Sequence, residues 1–168
     1  TVLKARRAQL QSAADEFYEI CANSPDIRGT EKSDMAEVQR IDDRRLRVAL
    51  YRRDKHSGEK TGEPRYERIF DDNDTREVRL YLLDGDDKTM VSGTGDGGIR
   101  VIVIGGDGED ELIDNSHLPV EFHDSGKKTT LTQGGRTSFN RDKVEEPTDD
   151  MSKYEPVVRD YGHNWMFF

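Results

Sequence analysis

Residues Gly105-Gly106-Asp107-Gly108-Glu109-Asp110-Glu111-Leu112-Ile113 match the nonapeptide G-G-x-G-x-D-x-U-x, a pattern that builds stacked β-turns. Each position has a physical reason. The glycines allow the backbone to turn with φ > 0, the aspartate can bond the turn or a cation, and the apolar Leu112 points into a core.

The nonapeptide sits inside a longer repeat. Val78, Leu80 and Leu82 alternate into Asp84-Gly85-Asp86-Asp87. Twenty-three residues later, Val101 and Val103 alternate into Gly106-Asp107-Gly108-Glu109-Asp110. The offset aligns Val78 with Val101, Leu80 with Val103, Gly85 with Gly108 and Asp87 with Asp110. A shorter copy comes next, in which Val120 and Phe122 lead into Ser125-Gly126-Lys127-Lys128 and then Leu131. Lysine replaces aspartate in its turn, so that copy is not expected to hold a cation. A fainter, earlier copy spans Ile27–Val38, where Gly29 and Asp34 precede Met35 and Val38.

Period-2 alternation broken by Asp/Gly turns at such spacing predicts a mainly β fold. Stacked hairpins, a β-solenoid and sandwich repeats all require the same alternation, so these architectures stay open. The composition fits a thin core: 32% of the 168 residues are hydrophobic and 36% are charged.

Outside the repeat the organisation is simpler. Leu3, Leu10, Ala13, Ala14, Phe17, Ile20 and Cys21 have helical spacing, ended by Asn23-Ser24-Pro25. Residues 1–23 are therefore expected as one helix packed on the sheet, with Cys21 as a packed thiol. Residues 24–140 form the β-repeat domain. Within it, Glu37–Ile41 and Leu46–Tyr51 read as strands around an Asp42-Asp43 hairpin turn. Lys55–Pro64 reads as a surface loop, and Tyr66–Phe70 as a returning strand. Residues 141–168 are a charged linker and then an aromatic tail.

The net charge of −9 argues against non-specific nucleic-acid binding. That charge is concentrated between Asp71 and Asn115, where 13 acidic residues face four basic ones. Among these, Asp84, Asp86, Asp87, Asp107 and Asp110, with the backbone of Gly105, Gly106 and Gly108, could supply the hard oxygen ligands that calcium takes. The same residues are also the best formers of tight turns, and the strip could equally be a solvated acidic face.

No catalytic constellation stands out. His56, His117, His123 and His163 lie in four separate segments, and neither G-x-S-x-G nor a P-loop occurs. Gly93-Thr94-Gly95-Asp96-Gly97-Gly98 joins two strands and opens no helix. The arginines Arg40, Arg44, Arg45, Arg47, Arg52 and Arg53 are expected to pair with acids on adjacent strands. A carbohydrate-binding solenoid would want aromatics on its face, and the repeats offer only Tyr81, Phe122 and His123, two of which are expected to be buried or half-buried. No apolar run approaches the ~18–20 residues that span a bilayer.

Several motifs taken in order carry a resemblance. They are Thr75-Arg-Glu-Val-Arg-Leu-Tyr81, the Asp84–Asp87 turn, Gly98-Ile-Arg-Val101, Gly105–Asp110 and the closing Arg159-Asp-Tyr-Gly162…Trp165. Together they resemble the segment that precedes the β-barrel in large bacterial surface-antigen outer-membrane proteins, which often carry a calcineurin-like metallophosphoesterase domain upstream. The resemblance implies a non-catalytic β-rich linking domain in the cell envelope, on the periplasmic or external side of an outer membrane. Its partners would be the upstream phosphoesterase-like domain and the downstream membrane β-barrel. Tyr154, Arg159, Asp160, Tyr161 and Trp165 would form the contact with that downstream domain. The phosphoesterase signature G-N-H-[DE] is absent, so catalysis by a parent protein would not map to these residues.

Overall fold

The computed structural model describes residues 2–145. One helix, α1 (Val2–Asn23), precedes eleven strands: β1 (Asp26–Arg28), β2 (Asp34–Arg40), β3 (Arg45–Arg53), β4 (Lys60–Asp71), β5 (Glu77–Tyr81), β6 (Lys88–Ser92), β7 (Arg100–Ile104), β8 (Glu109–Asp114), β9 (Val120–His123), β10 (Lys128–Thr132) and β11 (Thr137–Asn140).

The strands form two sheets. The first runs β1-β5-β7-β9-β11 and the second β10-β8-β6-β2-β3-β4. Every pairing in the first sheet is parallel. In the second, β2, β6, β8 and β10 are parallel neighbours, while β3 and β4 add antiparallel. Apart from the β3–β4 hairpin, consecutive strands alternate between the sheets, so each rung contributes one strand to each face. The fold is a two-sheeted parallel β-solenoid, which decides between the architectures that alternation alone left open.

The 23-residue repeat is read directly in the register. Val78 pairs with Val101 and Leu80 with Val103, and Asp84 bridges Asp107. The next rung is shorter, with Val101 opposite Val120, and the last shorter still, with Val120 opposite Thr137. The faint copy at Ile27–Val38 is the opening rung: Ile27 pairs with Leu80 and Val38 with Val91. The hairpin β3–β4 is inserted between this rung and the next.

Inward residues of both sheets make one core, including Val38, Val48, Leu80, Val103, Leu112 and Phe122, each 0–1% exposed. Phe122 also lies against Phe139, ring centroids 5.7 Å apart. Leu46, Val48 and Leu50 carry the core into the inserted hairpin, against Phe70 of β4.

Three expectations are corrected. The helix does not lie on a sheet: Leu10, Phe17 and Ile20 are 73%, 68% and 72% exposed, and the helix is held at its C-terminal end. There Ala22 is buried, its carbonyl accepts the Thr75 hydroxyl at 2.8 Å, and the Asn23 carbonyl accepts the Arg76 amide at 2.9 Å. Among the described residues the inward apolar faces of the two sheets are packed against each other, and the stripe is buried against neither. Cys21 is consequently exposed. Lastly, the predicted loop at Lys55–Pro64 is strand from Lys60 onward, because β4 continues along β3 to pair Lys60 with Arg53. Tyr154, Arg159, Asp160, Tyr161 and Trp165 lie outside the described residues.

Candidate functional site: the aspartate ladder beneath the turns

The turns that lead from the first sheet into the second stack along one edge, and the parallel register sorts their acids into two kinds. Asp84, Asp86, Asp107 and Glu109 face solvent. Asp34, Asp87 and Asp110 face inward at the start of β2, β6 and β8, and are 2%, 0% and 2% exposed. Thr129 occupies the same place in the next rung, opposite Asp110.

The buried acids knit the rungs together. The Asp34 amide donates to Asp87 Oδ1 at 2.7 Å, and the Asp87 amide donates to Asp110 Oδ1 at 2.9 Å. Each carboxylate therefore satisfies a backbone donor that would otherwise be buried without a partner. Asp34 Oδ2 is filled locally, accepting the Thr30 amide at 2.6 Å and the Thr30 hydroxyl at 2.9 Å, and Arg65 Nη1 lies 3.5 Å from Asp34 Oδ1. By contrast, Asp87 Oδ2 and Asp110 Oδ2 are buried without a hydrogen-bond partner among the described residues.

Burial disfavours charge on these two groups. Desolvation, reinforced by the neighbouring carboxylates Asp110 and Asp34, pushes Asp87 up to about 8. Asp110 is pushed up to about 6, again chiefly by desolvation, with Asp124 and Asp86 adding to it. The bonds from the backbone amides oppose both shifts without cancelling them.

Above the ladder, the turn backbones bond to one another. Gly85 N donates to Asp107 O at 2.9 Å, and Asp107 N to Leu83 O at 3.0 Å. Gly106 and Gly108 have φ of 96° and 149°, and an added Cβ would lie 1.7 Å from the Leu83 and Gly85 carbonyl oxygens respectively. The nonapeptide glycines are thus fixed by close approach as well as by conformation. Leu83, in register with Gly106, adopts the same left-handed region with φ 76°.

Arg53, at the end of β3, reaches this edge from the inserted hairpin. Its guanidinium donates to Asp86 O at 3.0 Å and to Gly58 O at 3.2 Å, and stands 3.9 Å from Glu111. With Ser33, Asp86, Glu109, Glu111 and Lys128 it lines an open groove of about 330 Å³.

The structure thus brings Asp87 and Asp110 together in one buried row, and places Asp84, Asp86 and Asp107 on the solvent side of the same turns. Gly105 lies against the Asp110 carboxylate, and Gly106 and Gly108 lie against the Leu83 and Gly85 carbonyls of the neighbouring turn. Among the described residues, no three His, Cys, Asp or Glu side chains are grouped so as to hold a metal ion. The opposite turn has its own buried acid: Asp114 accepts the Ser116 amide at 2.8 Å and the Thr137 hydroxyl at 2.5 Å. Sequence reading did not single out Asp114, Asp124 or the reach of Arg53 to this edge. Their signal is positional, since each lies at a strand end next to a turn residue.

Other sequence candidates resolve into framework. Arg44 pairs with Asp71 at 2.9 Å, Arg45 with Asp42 at 2.6 Å, and Arg47 with Glu67 at 2.5 Å. The buried Arg40 instead donates to the Gly97 carbonyl at 3.2 Å, inside the glycine-rich connection. Tyr81 and Phe122 are buried, at 4% and 1% exposure, and so offer no surface for stacking a sugar ring. His123 lies 2.8 Å from Glu121 on the outer face of the first sheet.

Comparison with models of known protein families, with curated proteins and with solved structures gives no match.

Proposed function

We propose that this chain is a non-catalytic structural module of a larger bacterial outer-membrane surface-antigen protein, a stiff linking piece between an upstream domain and a β-barrel. One observation carries the spacer role. β1 and β11 are the two opposite edge strands of the first sheet, so the chain enters at one end of the stack and leaves at the other. Four inter-strand steps separate those ends, about 19 Å at the usual sheet spacing. The assignment to an outer membrane rests on the ordered motifs of the sequence. In this reading the turn acids are framework, because their buried members are engaged in holding successive rungs.

Fractionation of the source cells with an antibody raised to residues 26–140 tests the location. Recovery with the outer membrane supports the reading, and recovery with cytosol overturns it. Activity screens against phosphate esters and glycosides should come back blank. A turnover abolished by Asp110→Asn would overturn the non-catalytic assignment.

A second reading, a calcium-binding module, is favoured by the orphaned Oδ2 atoms of Asp87 and Asp110 beneath glycine-lined turns. Hard oxygens of this kind suit Ca²⁺, with turn carbonyls completing the shell. Thermal unfolding in EDTA and in millimolar calcium separates the two readings. A ligand at 100 times its dissociation constant adds about 2.7 kcal/mol. A shift of that size, lost in Asp110→Asn, would establish the ion, and an unchanged midpoint would leave the ladder as plain scaffold.

A further inference from the structure

The two sheets do not end together. The first stops at β1, whereas the second continues past β2, which shares the opening rung with β1, by the two strands β3 and β4. The overhang leaves a step, and an open cleft of about 280 Å³ lies there. β1 and the turn after it contribute Arg28 and Thr30 to its lining, β2 contributes Asp34, β3 contributes Leu50, and β4 contributes Arg65 and Tyr66.

An irregularity in the second sheet puts Arg65 in that lining. Tyr66 stands opposite Leu50 and packs on the core, so regular alternation would send Arg65 to the outer face. The register shifts between Leu50 and Arg52, however, and residues 62–65 of β4 stand against Tyr51 alone. Gly62 takes the turn this needs, with φ 71°. A bulge of this kind re-aims a side chain, and here it brings Arg65 Nη1 to 3.5 Å from Asp34 Oδ1. The lining is positive on balance, with two guanidinium groups against one carboxylate. That carboxylate is already engaged, since Asp34 Oδ2 accepts the Thr30 amide and hydroxyl. The Arg65 side chain stays 48% exposed, and 3.5 Å is too long for a two-pronged guanidinium–carboxylate bond. Among the described residues it makes no closer ion pair. Leu50 and the half-buried Tyr66 add an apolar part beside these charges.

We propose that this cleft binds a small organic anion. Its carboxylate or phosphate group meets the Arg65 guanidinium, Arg28 adds charge from the opposite strand, and its apolar body lies on Leu50 and Tyr66. Arginine selects this chemistry, because its planar fork presents parallel donors that match two oxygens of a carboxylate or phosphate. The volume is near the lower end of small-ligand sites, about 300 Å³, so the body is of modest size, on the order of one ring. A ligand here goes beyond the structural role of the module. The cleft is also distinct from the orphaned oxygens of Asp87 and Asp110, so its occupancy does not depend on whether those bind an ion.

Nuclear magnetic resonance titration of the full chain with benzoate and with phenyl phosphate tests the proposal. The amides of Gly29, Thr30, Arg65 and Tyr66 should shift saturably, and the tighter probe identifies the preferred head group. Arg65→Gln should weaken binding about 10-fold or more. Arg65→Lys keeps the charge without the fork and should recover only part of that loss. Arg28→Gln should weaken binding from a different strand, and resonances outside the cleft report that each variant keeps the fold. Benzylamine, of similar size and opposite charge, should leave the four amides unmoved, and Arg100→Gln, on the outer face of the first sheet, should leave the affinity unchanged. The proposal is overturned if neither probe saturates below about 10 mM, or if both arginine variants of the cleft bind as tightly as the parent. It is equally overturned if benzylamine shifts the same amides, or if Arg100→Gln weakens binding as much as Arg65→Gln, which would mean adventitious attraction to arginine only.

Discussion

The Asp87 amide donates to Asp110 Oδ1 across 2.9 Å, although the two residues are one whole rung apart in sequence. Each is the aspartate of its Asp/Gly turn, so the repeat bonds to itself. The cost falls on the second carboxylate oxygen of each, which is buried and unpartnered among the described residues.

A pH dependence arises from that cost. Asp87 and Asp110 bind protons more tightly folded than unfolded, with folded values near 8 and 6. The native state therefore holds more protons in this range, and stability falls as pH rises. The contribution is complete below the unfolded carboxylate value near 4 and is lost progressively through about pH 6 and then about pH 8. Urea midpoints at pH 5.5, 7 and 8.5 should decrease in that order, and Asp87→Asn should flatten the decline. A midpoint that rises over this interval would refute the protonated ladder.

Removing Asp110 separates its roles. Asp110→Ala strands the buried Asp87 amide and should destabilise by about 1–3 kcal/mol. Asp110→Asn keeps an acceptor for that amide, so it should cost clearly less at pH 7. Equal losses in the two variants, measured by chemical denaturation, would mean that the bond to Asp87 contributes little.

The nonapeptide glycines are set by space. Gly106→Ala places a Cβ 1.7 Å from the Leu83 carbonyl oxygen, a backbone atom in the neighbouring rung. Relief requires the rungs to part, and a loss of about 3 kcal/mol or more is expected, near the top of the range for single substitutions. Gly98→Ala, where an added Cβ meets nothing within 4 Å, serves as the control and should lie within about 0.5 kcal/mol of the parent.

The charge ladder on the outer face of the first sheet should matter little. Arg100 lies 2.6 Å from Glu121 and 3.6 Å from Glu77, yet its side chain is 49% exposed. Water screens such pairs, so Arg100→Ala should cost at most about 1 kcal/mol, and less at high salt. Phe122→Ala, in the dry core, should cost about 3–5 kcal/mol on the same denaturation assay. A larger effect at Arg100 than at Phe122 would invert this account of what holds the rungs.

Parallel stacking converts a sequence offset directly into a contact, and for that reason much of this molecule is legible in its residues. The 23-residue repeat aligns Val78 with Val101 and Asp87 with Asp110, and the parallel rungs of the structure make those aligned positions partners. Alternation likewise identifies Val101, Val103 and Leu112 as core. The direction of stacking was not legible, since period-2 alternation serves parallel and antiparallel strands alike. Nor was the position of the hairpin β3–β4, whose insertion stretches the first offset to the separation between Asp34 and Asp87 and hides the opening rung. The helical stripe was plain in sequence, but its standing off the sheets was not, because the two sheets bury their apolar faces against each other. The character of the acids was decided last. Asp86 and Asp87 are neighbours of the same residue type, and only the path of the folded turn into β6 sends one into water and the other into a row of buried carboxylates.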